Sequence, residues 1–156
     1  MTDHPLSARD VIVRFGPTTI LHGVSCDLHQ GTVTGFLGPN GAGKSTLLRA
    51  LSGTLQPAAG DVLLHGSPVD SYTRRDVARR LGVTPQHPDT ALELTVGEVV
   101  AMGRFCHRPI YASVTPVDDG AIAAALRHMA LEDLADRSAG TLSGGERQRM
   151  YLAQLL

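Results

Sequence analysis

The chain of 156 residues carries 14 basic and 15 acidic side chains, so its formal net charge of -1 excludes a general positive field for nucleic acid. Its length suffices for one ordinary domain with a buried core, and two domains are not expected. The N-terminus has no basic region followed by an apolar core, and no apolar run approaches eighteen residues, so neither a secretory signal nor a membrane-spanning helix is predicted.

Short apolar segments and helical patterns alternate along the chain. Segments that are rich in β-branched residues or bounded by glycine predict strands at residues 11–15, 20–28, 33–37 and 62–64. Apolar stripes and start signals predict helices at residues 44–51, 77–81, 95–102, 121–129 and 144–156. The third of these helices opens with Thr95 and Glu98, which form a capping box. Together these elements predict an α/β fold.

The stretch GPNGAGKS at residues 38–45 links the third predicted strand to the first predicted helix and fits the pattern GxxxxGK[ST]. Its glycines allow consecutive backbone N–H groups to approach phosphate oxygens, and the following helix directs its positive end to the same place. Lys44, the only lysine of the chain, would bridge the β- and γ-phosphates, and the Ser45 hydroxyl would ligate Mg²⁺. A glycine-rich turn with a surface lysine is the alternative, and the flanking strand and helix argue against it.

A second motif, LSGGE at residues 142–146, opens the last predicted helix. Ser143 and Glu146 form a capping box there. Gly144 and Gly145 occupy the first helical turn, where glycine is a weak choice, so another group is expected to approach that backbone closely. A serine hydroxyl and bare amides at a helix N-terminus make a second phosphate site, which one chain cannot easily place on its own first site.

These two motifs resemble those of the ATP-binding cassette (ABC) family, whose signature reads LSGGQ and whose phosphate loop typically reads GPNGAGKST. Glu146 stands where the family has glutamine. In that family two cassettes pair head to tail, and the resemblance implies that Ser143, Gly144 and Gly145 act on the ATP of a second copy. The implied nucleotide-binding residues are Phe15, Gly38, Pro39, Asn40, Gly41, Ala42, Gly43, Lys44, Ser45, Thr46, Gln86, Ser143, Gly144, Gly145 and Glu146.

Two of these residues depend on the resemblance more than on their own surroundings. Gln86 matches the glutamine loop of the family, in which the glutamine side chain contacts Mg²⁺ and the attacking water. The resemblance therefore implies Ser45 and Gln86 as metal ligands. Without the two motifs, Gln86 would be an ordinary loop residue. Phe15 matches the aromatic residue that stacks on adenine, where tyrosine is usual, and it could equally be a core residue.

The resemblance predicts a P-loop ABC cassette with a mostly parallel core sheet, an antiparallel β portion at residues 6–28 and 61–65, and a helical subdomain. In domain terms, residues 1–87 form the N-terminal part of the core, residues 88–140 the helical subdomain, and residues 141–156 the signature and the start of its helix. The family places its Mg²⁺ aspartate, catalytic glutamate and switch histidine after the signature helix. No residue here matches them, so we expect an incomplete cassette that hydrolyses ATP poorly or not at all.

Within the family, the chain resembles most the cassettes that energise import of ferric siderophores, haem or cobalamin. This resemblance lies in residues 94–109 and 135–138. It implies a peripheral protein on the cytoplasmic face of the membrane, with a second cassette and multi-spanning permease subunits as partners and an extracytoplasmic binding protein as an indirect one. Nucleic acid is not an expected partner. Two alternatives stay open: a soluble ABC-type ATPase, and a nucleotide-binding fragment without hydrolysis.

Overall fold

The computed structural model describes residues 4–84, 93–109 and 113–156, which belong to two compact units, Met1–Val77 and Ala78–Leu156. The predicted domain boundary between residues 87 and 88 lies outside the described residues. In the described part of the chain, no helix is long and apolar enough to cross a bilayer.

The first unit is built on a four-stranded antiparallel sheet with strand order β2-β1-β3-β4. Its strands are β1 (Leu6–Phe15), β2 (Thr18–Leu28), β3 (Ala59–Leu64) and β4 (Ser67–Pro68). A hairpin joins β1 to β2, with Phe15 opposite Thr18. The antiparallel β portion predicted from the sequence is therefore confirmed.

Strand β1 bends at a bulge around Asp10, which has a positive φ of 48° and interrupts the pairing with both neighbours. Gly60 on β3 lies directly beneath this bulge. A Cβ atom at Gly60 would overlap the carbonyl oxygens of Asp10 and Arg9, and its φ of +80° is also unfavourable for other residues. The bulge therefore requires glycine at this position.

Helix α1 (Lys44–Leu51) lies against β1 and β2 and buries Leu47, Ala50 and Leu51. On β1, Val11 and Val13 are likewise almost fully shielded from solvent. Burial of this apolar stripe stabilises the helix, because eight residues are too few for an isolated helix in water. The predicted boundaries of this helix are confirmed.

The strand predicted at residues 33–37 is wrong. This segment has no regular secondary structure, and the side chains of Val33 and Leu37 are exposed. A strand requires hydrogen bonds to a neighbour, and none of the strands in residues 4–84 pairs with this segment. The parallel part of the predicted sheet is thus not present among the described residues, whose sheet pairs are all antiparallel.

A short helix, α2 (Arg74–Ala78), corrects the prediction of a helix at residues 77–81. It begins earlier because the Thr73 hydroxyl accepts a hydrogen bond from the Asp76 N–H at 3.1 Å. This is the geometry of a helix N-terminus, and the pattern Thr-x-x-Asp was its signal in the sequence.

The second unit packs three helices, α3 (Val96–Met102), α4 (Pro116–His128) and α5 (Gly144–Gln154). Helix α3 contacts both others. Their shared core is apolar, with Val96, Leu131 and Met150 fully buried. Helix α4 begins five residues before the predicted residue 121, because Thr115 caps it and Pro116 fits the first helical position.

All three helices begin with a capping box, in which a hydroxyl side chain and an acidic side chain three residues later satisfy each other's backbone N–H groups. Asp118, the acid of the second box, is buried and also accepts a hydrogen bond from Arg104 Nε at 3.1 Å. These polar contacts fix where each helix starts, because they satisfy amide donors that the helix leaves free.

Candidate functional site

Residues 38–43 form a loop that leads into α1; residues 38–42 are exposed and Gly43 is half-buried. Gly41 and Gly43 adopt positive φ angles of 83° and 87°, a conformation that favours glycine. Gly43 is the N-cap of α1, and this position provides no side-chain hydrogen bond to the helix amides. The first turn of α1 contains no acidic residue either. The positive end of this helix is thus available to an anion.

Gly43 fits closely against β2. A Cβ atom here would lie 2.7 Å from Leu21 Cδ2 and 3.3 Å from Ile20 Cγ2. The loop is therefore pressed onto the sheet at a point where a larger residue would push it outwards. Sequence patterns did not indicate this role for Ile20 and Leu21, because their contact with the loop depends on the packing of α1.

The Lys44 side chain folds back over the loop. Its Nζ atom donates hydrogen bonds to the carbonyl oxygens of Gly38 and Pro39, each at 2.8 Å. The Ala42 N–H donates to the Pro39 carbonyl at 3.3 Å and closes the same turn. The ammonium group is thus held at the loop by oxygen acceptors, which phosphate oxygens can replace because they are also hydrogen-bond acceptors.

Ser45 and Thr46 follow in the first turn of α1, with Ser45 exposed and Thr46 half-buried. Asn40 and Ala42 are exposed in the loop. The donor set suits a nucleotide phosphate, since it combines a glycine-rich backbone, an ammonium group and a helix N-terminus. It also suits Mg²⁺ bound jointly with phosphate, because a single hydroxyl oxygen leaves the other coordination positions to phosphate and water.

Of the two positions inferred mainly from resemblance, one is described. Phe15 ends β1, and 51% of its surface is exposed, so it is not a core residue. The exposed ring offers a face on which a planar base could stack. Gln86 lies outside the described residues.

The signature motif lies in the second unit, at the start of α5. Ser143 is the N-cap, its backbone N–H donates to Glu146 Oε2 at 2.7 Å, and its Oγ accepts from the Glu146 N–H at 3.4 Å. Gly144 and Gly145 are exposed, and a Cβ atom at either position would meet no atom within 4 Å. Neither has a positive φ. The described chain itself therefore gives no reason for two glycines.

Charged groups surround this motif. Hydrogen bonds from the side chain and backbone of Ser143 hold the pKa of the Glu146 carboxyl below its usual range, and Arg137 and Arg149 add to this effect. Arg137 Nε also donates to Thr141 Oγ1 at 2.9 Å and so fixes the turn before the signature. No sequence pattern indicates this role for Arg137, since a contact across four residues of irregular chain has no pattern of its own.

The structure thus brings the predicted residues together in two groups. Residues 38–46 form one loop and helix start in the first unit, and residues 143–146 form another helix start in the second unit. Each group presents backbone amides and a hydroxyl at a helix N-terminus. Within the ranges described, no cluster of three or more His, Cys, Asp or Glu side chains could hold a metal ion on its own.

Comparison with known proteins gives consistent matches. Residues 21–156 match the model of the family described as ABC transporter. The ferric enterobactin transport ATP-binding protein FepC of Escherichia coli (strain K12) is 38% identical over 97% of this chain and 56% of its own length. The hemin import ATP-binding protein HmuV of Pseudomonas fluorescens (strain Pf0-1) is 46% identical over 97% of this chain and 58% of its own length.

A solved structure of MJ1267, an ATP-binding cassette of an ABC transporter, superposes with a TM-score of 0.84 at 29% identity. The match covers 99% of this chain and 65% of that one. The chain therefore spans a little over half the length of the two curated relatives and about two thirds of this cassette.

Proposed function

The chain belongs to the ABC transporter family, and from that premise we propose that residues 38–46 bind ATP together with Mg²⁺. The predicted cassette fold is confirmed by the solved cassette that it matches. The observation that carries the proposal is the loop itself. Its glycines, the open N-terminus of α1 and the ammonium group of Lys44 converge where a triphosphate would lie.

In this proposal the backbone N–H groups of the loop bind phosphate oxygens, and Lys44 exchanges its two carbonyl acceptors for oxygens of the β- and γ-phosphates. Ser45 would hold Mg²⁺ through its hydroxyl, and Gln86 is the second proposed ligand. Mg²⁺ held there would neutralise phosphate charge and act as a Lewis acid on the phosphate oxygens. Phe15 would position the adenine by stacking on its exposed face.

We further propose that the signature acts on ATP held by a second copy of the chain. The open space at Gly144 and Gly145 supports this, because no described part of the chain occupies it. Their amides, the Ser143 hydroxyl and the N-terminus of α5 would bind phosphate oxygens across the pair. Head-to-tail pairing would then bury two ATP molecules between two copies.

At the level of the cell, the proposal is an ATP-binding subunit of an importer for a ferric siderophore, haem or cobalamin. The names of the two curated relatives support an iron complex or haem as the cargo. Permease subunits in the membrane would be the direct partners and an extracytoplasmic binding protein an indirect one, with the subunit on the cytoplasmic face. Hydrolysis of ATP would drive transport.

Uptake measurements test this assignment. Cells lacking the gene would be complemented with the full-length wild type, with Lys44→Ala, or with Gly120→Ala as a control in α4, and uptake of each labelled cargo would be compared. The proposal predicts that one cargo depends on the gene and that only Lys44→Ala fails to restore its uptake. Normal uptake of all three cargoes without the gene would contradict the importer assignment, while direct ATP binding is measured separately.

A further inference from the structure

The three capping boxes of the second unit differ in the residues that precede the acidic residue in the first helical turn. In α3 the first-turn glycine, Gly97, packs closely against a neighbouring segment, because a Cβ atom would lie 3.3 Å from the Ala135 carbonyl oxygen. In α4 the first turn begins with Pro116 and contains no glycine before Asp118. In α5 the acid, Glu146, follows two glycines that face open space.

Glu146 therefore places a carboxylate beside amides that are free for an anion. Its carboxyl is ionised at neutral pH, as that of glutamate ordinarily is. The Ser143 contacts, followed by Arg137 and Arg149, lower its pKa further. A glutamine could form the same capping box with a neutral oxygen. The helix start alone consequently does not require a negative charge at this position.

An ionised Glu146 opposes phosphate binding in two ways. It repels the anion by Coulomb interaction, and it competes for the hydrogen-bond donors of Ser143, whose N–H it already holds at 2.7 Å. The guanidinium groups of Arg137 and Arg149 act in the opposite direction, since each offsets part of the carboxylate charge. These three side chains thus all contribute to the electrostatic field at the signature.

We propose that Glu146 is a positioning residue that fixes Ser143 at the start of α5 while its charge limits how tightly the signature holds phosphate. This inference rests on the proposed function, in which the signature binds ATP carried by a second copy. It adds that the negative charge of Glu146 weakens the pairing of two copies and so keeps that pairing reversible. Removal of the charge, with the cap retained, strengthens the pairing.

The experiment compares the full-length wild type with Glu146→Gln and with Glu98→Gln, a matched control that neutralises the capping-box acid of α3. Association of two copies is measured with a non-hydrolysable ATP analogue at low and high salt, together with ATP binding and thermal unfolding of each variant. Glu146→Gln is expected to associate about 3–10-fold more tightly at low salt. This gain should shrink at high salt because the repulsion is screened, and Glu98→Gln should match the wild type.

Three outcomes would decide against the inference. If the wild type binds ATP and pairs, but Glu146→Gln pairs no more tightly, the inference is overturned while the proposed function stands. If Glu146→Gln and Glu98→Gln shift pairing alike, the effect belongs to helix capping and the inference is also overturned. If the wild type binds ATP but never pairs, both the role of the signature in a second copy and the inference fall.

Discussion

Lys44 Nζ lies 2.8 Å from the carbonyl oxygen of Gly38, so the lysine that opens α1 closes the loop in front of its own helix. A second bond of equal length to the Pro39 carbonyl fixes the direction of the side chain. Two carbonyl groups of the loop thus hold the positive charge at the place where the sequence motif needs it. The Lys44 side chain therefore both closes the loop and places a positive charge there.

The first prediction concerns the fit of this loop against β2. Gly43→Ala should lower the free energy of unfolding by about 1–3 kcal/mol, because the new Cβ adds a steric clash with Leu21 to backbone strain. Gly41→Ala is the matched control, since Gly41 has a similar φ of +83° but nothing within 4 Å. Its loss should be smaller, about 1 kcal/mol. Equal losses in urea unfolding would show that the contact with Leu21 is unimportant.

The second prediction concerns the exposed ring at the end of β1. Phe15→Ala should weaken ATP binding by about 5–100-fold, which corresponds to the usual worth of one aromatic–base stack. Phe15→Tyr should retain the affinity, because it retains the ring face. Since half of the Phe15 side chain is exposed, neither change should alter unfolding much. Calorimetric titration with ATP checks this, and an unchanged affinity of Phe15→Ala would remove Phe15 from the site.

How far the sequence predicted the fold depends on what each element needs. Helix α1 and the start of α5 were predicted at the correct residue, because a loop motif or a capping box marks them locally. The start of α4 and the position of α2 were missed, although Thr115 and Thr73 provided comparable signals. The strand at residues 33–37 failed for another reason: a local apolar pattern cannot provide the partner that a strand requires.

The candidate site divides in the same way. The motif letters indicated the glycines, Lys44 and Ser45, whose roles follow from backbone freedom and charge. Nothing in the sequence indicated that Leu21 leaves no room for a side chain at Gly43, or that Arg137 fixes the turn before the signature. Both depend on contacts between distant or irregular segments. The assignment of Gln86 stays a prediction.

The third prediction separates function from stability at the signature. Gly145→Ala should leave the fold intact or make it slightly more stable, because alanine is the better helix former and nothing lies within 4 Å of the new Cβ. Yet ATP-dependent pairing of full-length copies should fall at least about tenfold, since the methyl group blocks the approach of phosphate to the amides.

The control for this change is Gly120→Ala in α4, where the added Cβ also meets nothing within 4 Å. It should show the same small change in thermal unfolding and normal pairing. If Gly145→Ala paired as well as Gly120→Ala, the open space at the signature would not be a binding surface.

The fourth prediction concerns acid stability. The Thr115 side chain, followed by the Thr115 backbone N–H and Arg104, lowers the pKa of Asp118 in the folded state. Because the folded pKa is below the unfolded one, the stabilisation is present at neutral pH and is lost as the pH falls below about 4. Asp118→Asn should melt several degrees lower at pH 7, yet lose less stability than the wild type between pH 7 and pH 3. Parallel losses in both proteins, followed by circular dichroism, would contradict this role for Asp118.

The most direct test of the central claim is the ATP affinity of full-length Lys44→Ala and Lys44→Arg, measured by titration beside thermal unfolding. Loss of a charge-assisted contact should weaken binding by about 10–100-fold in the alanine variant, with little change in melting temperature. The arginine variant should also bind weakly, because its planar guanidinium does not replace a compact ammonium group. A Lys44→Ala protein that binds ATP as tightly as the wild type would contradict the account.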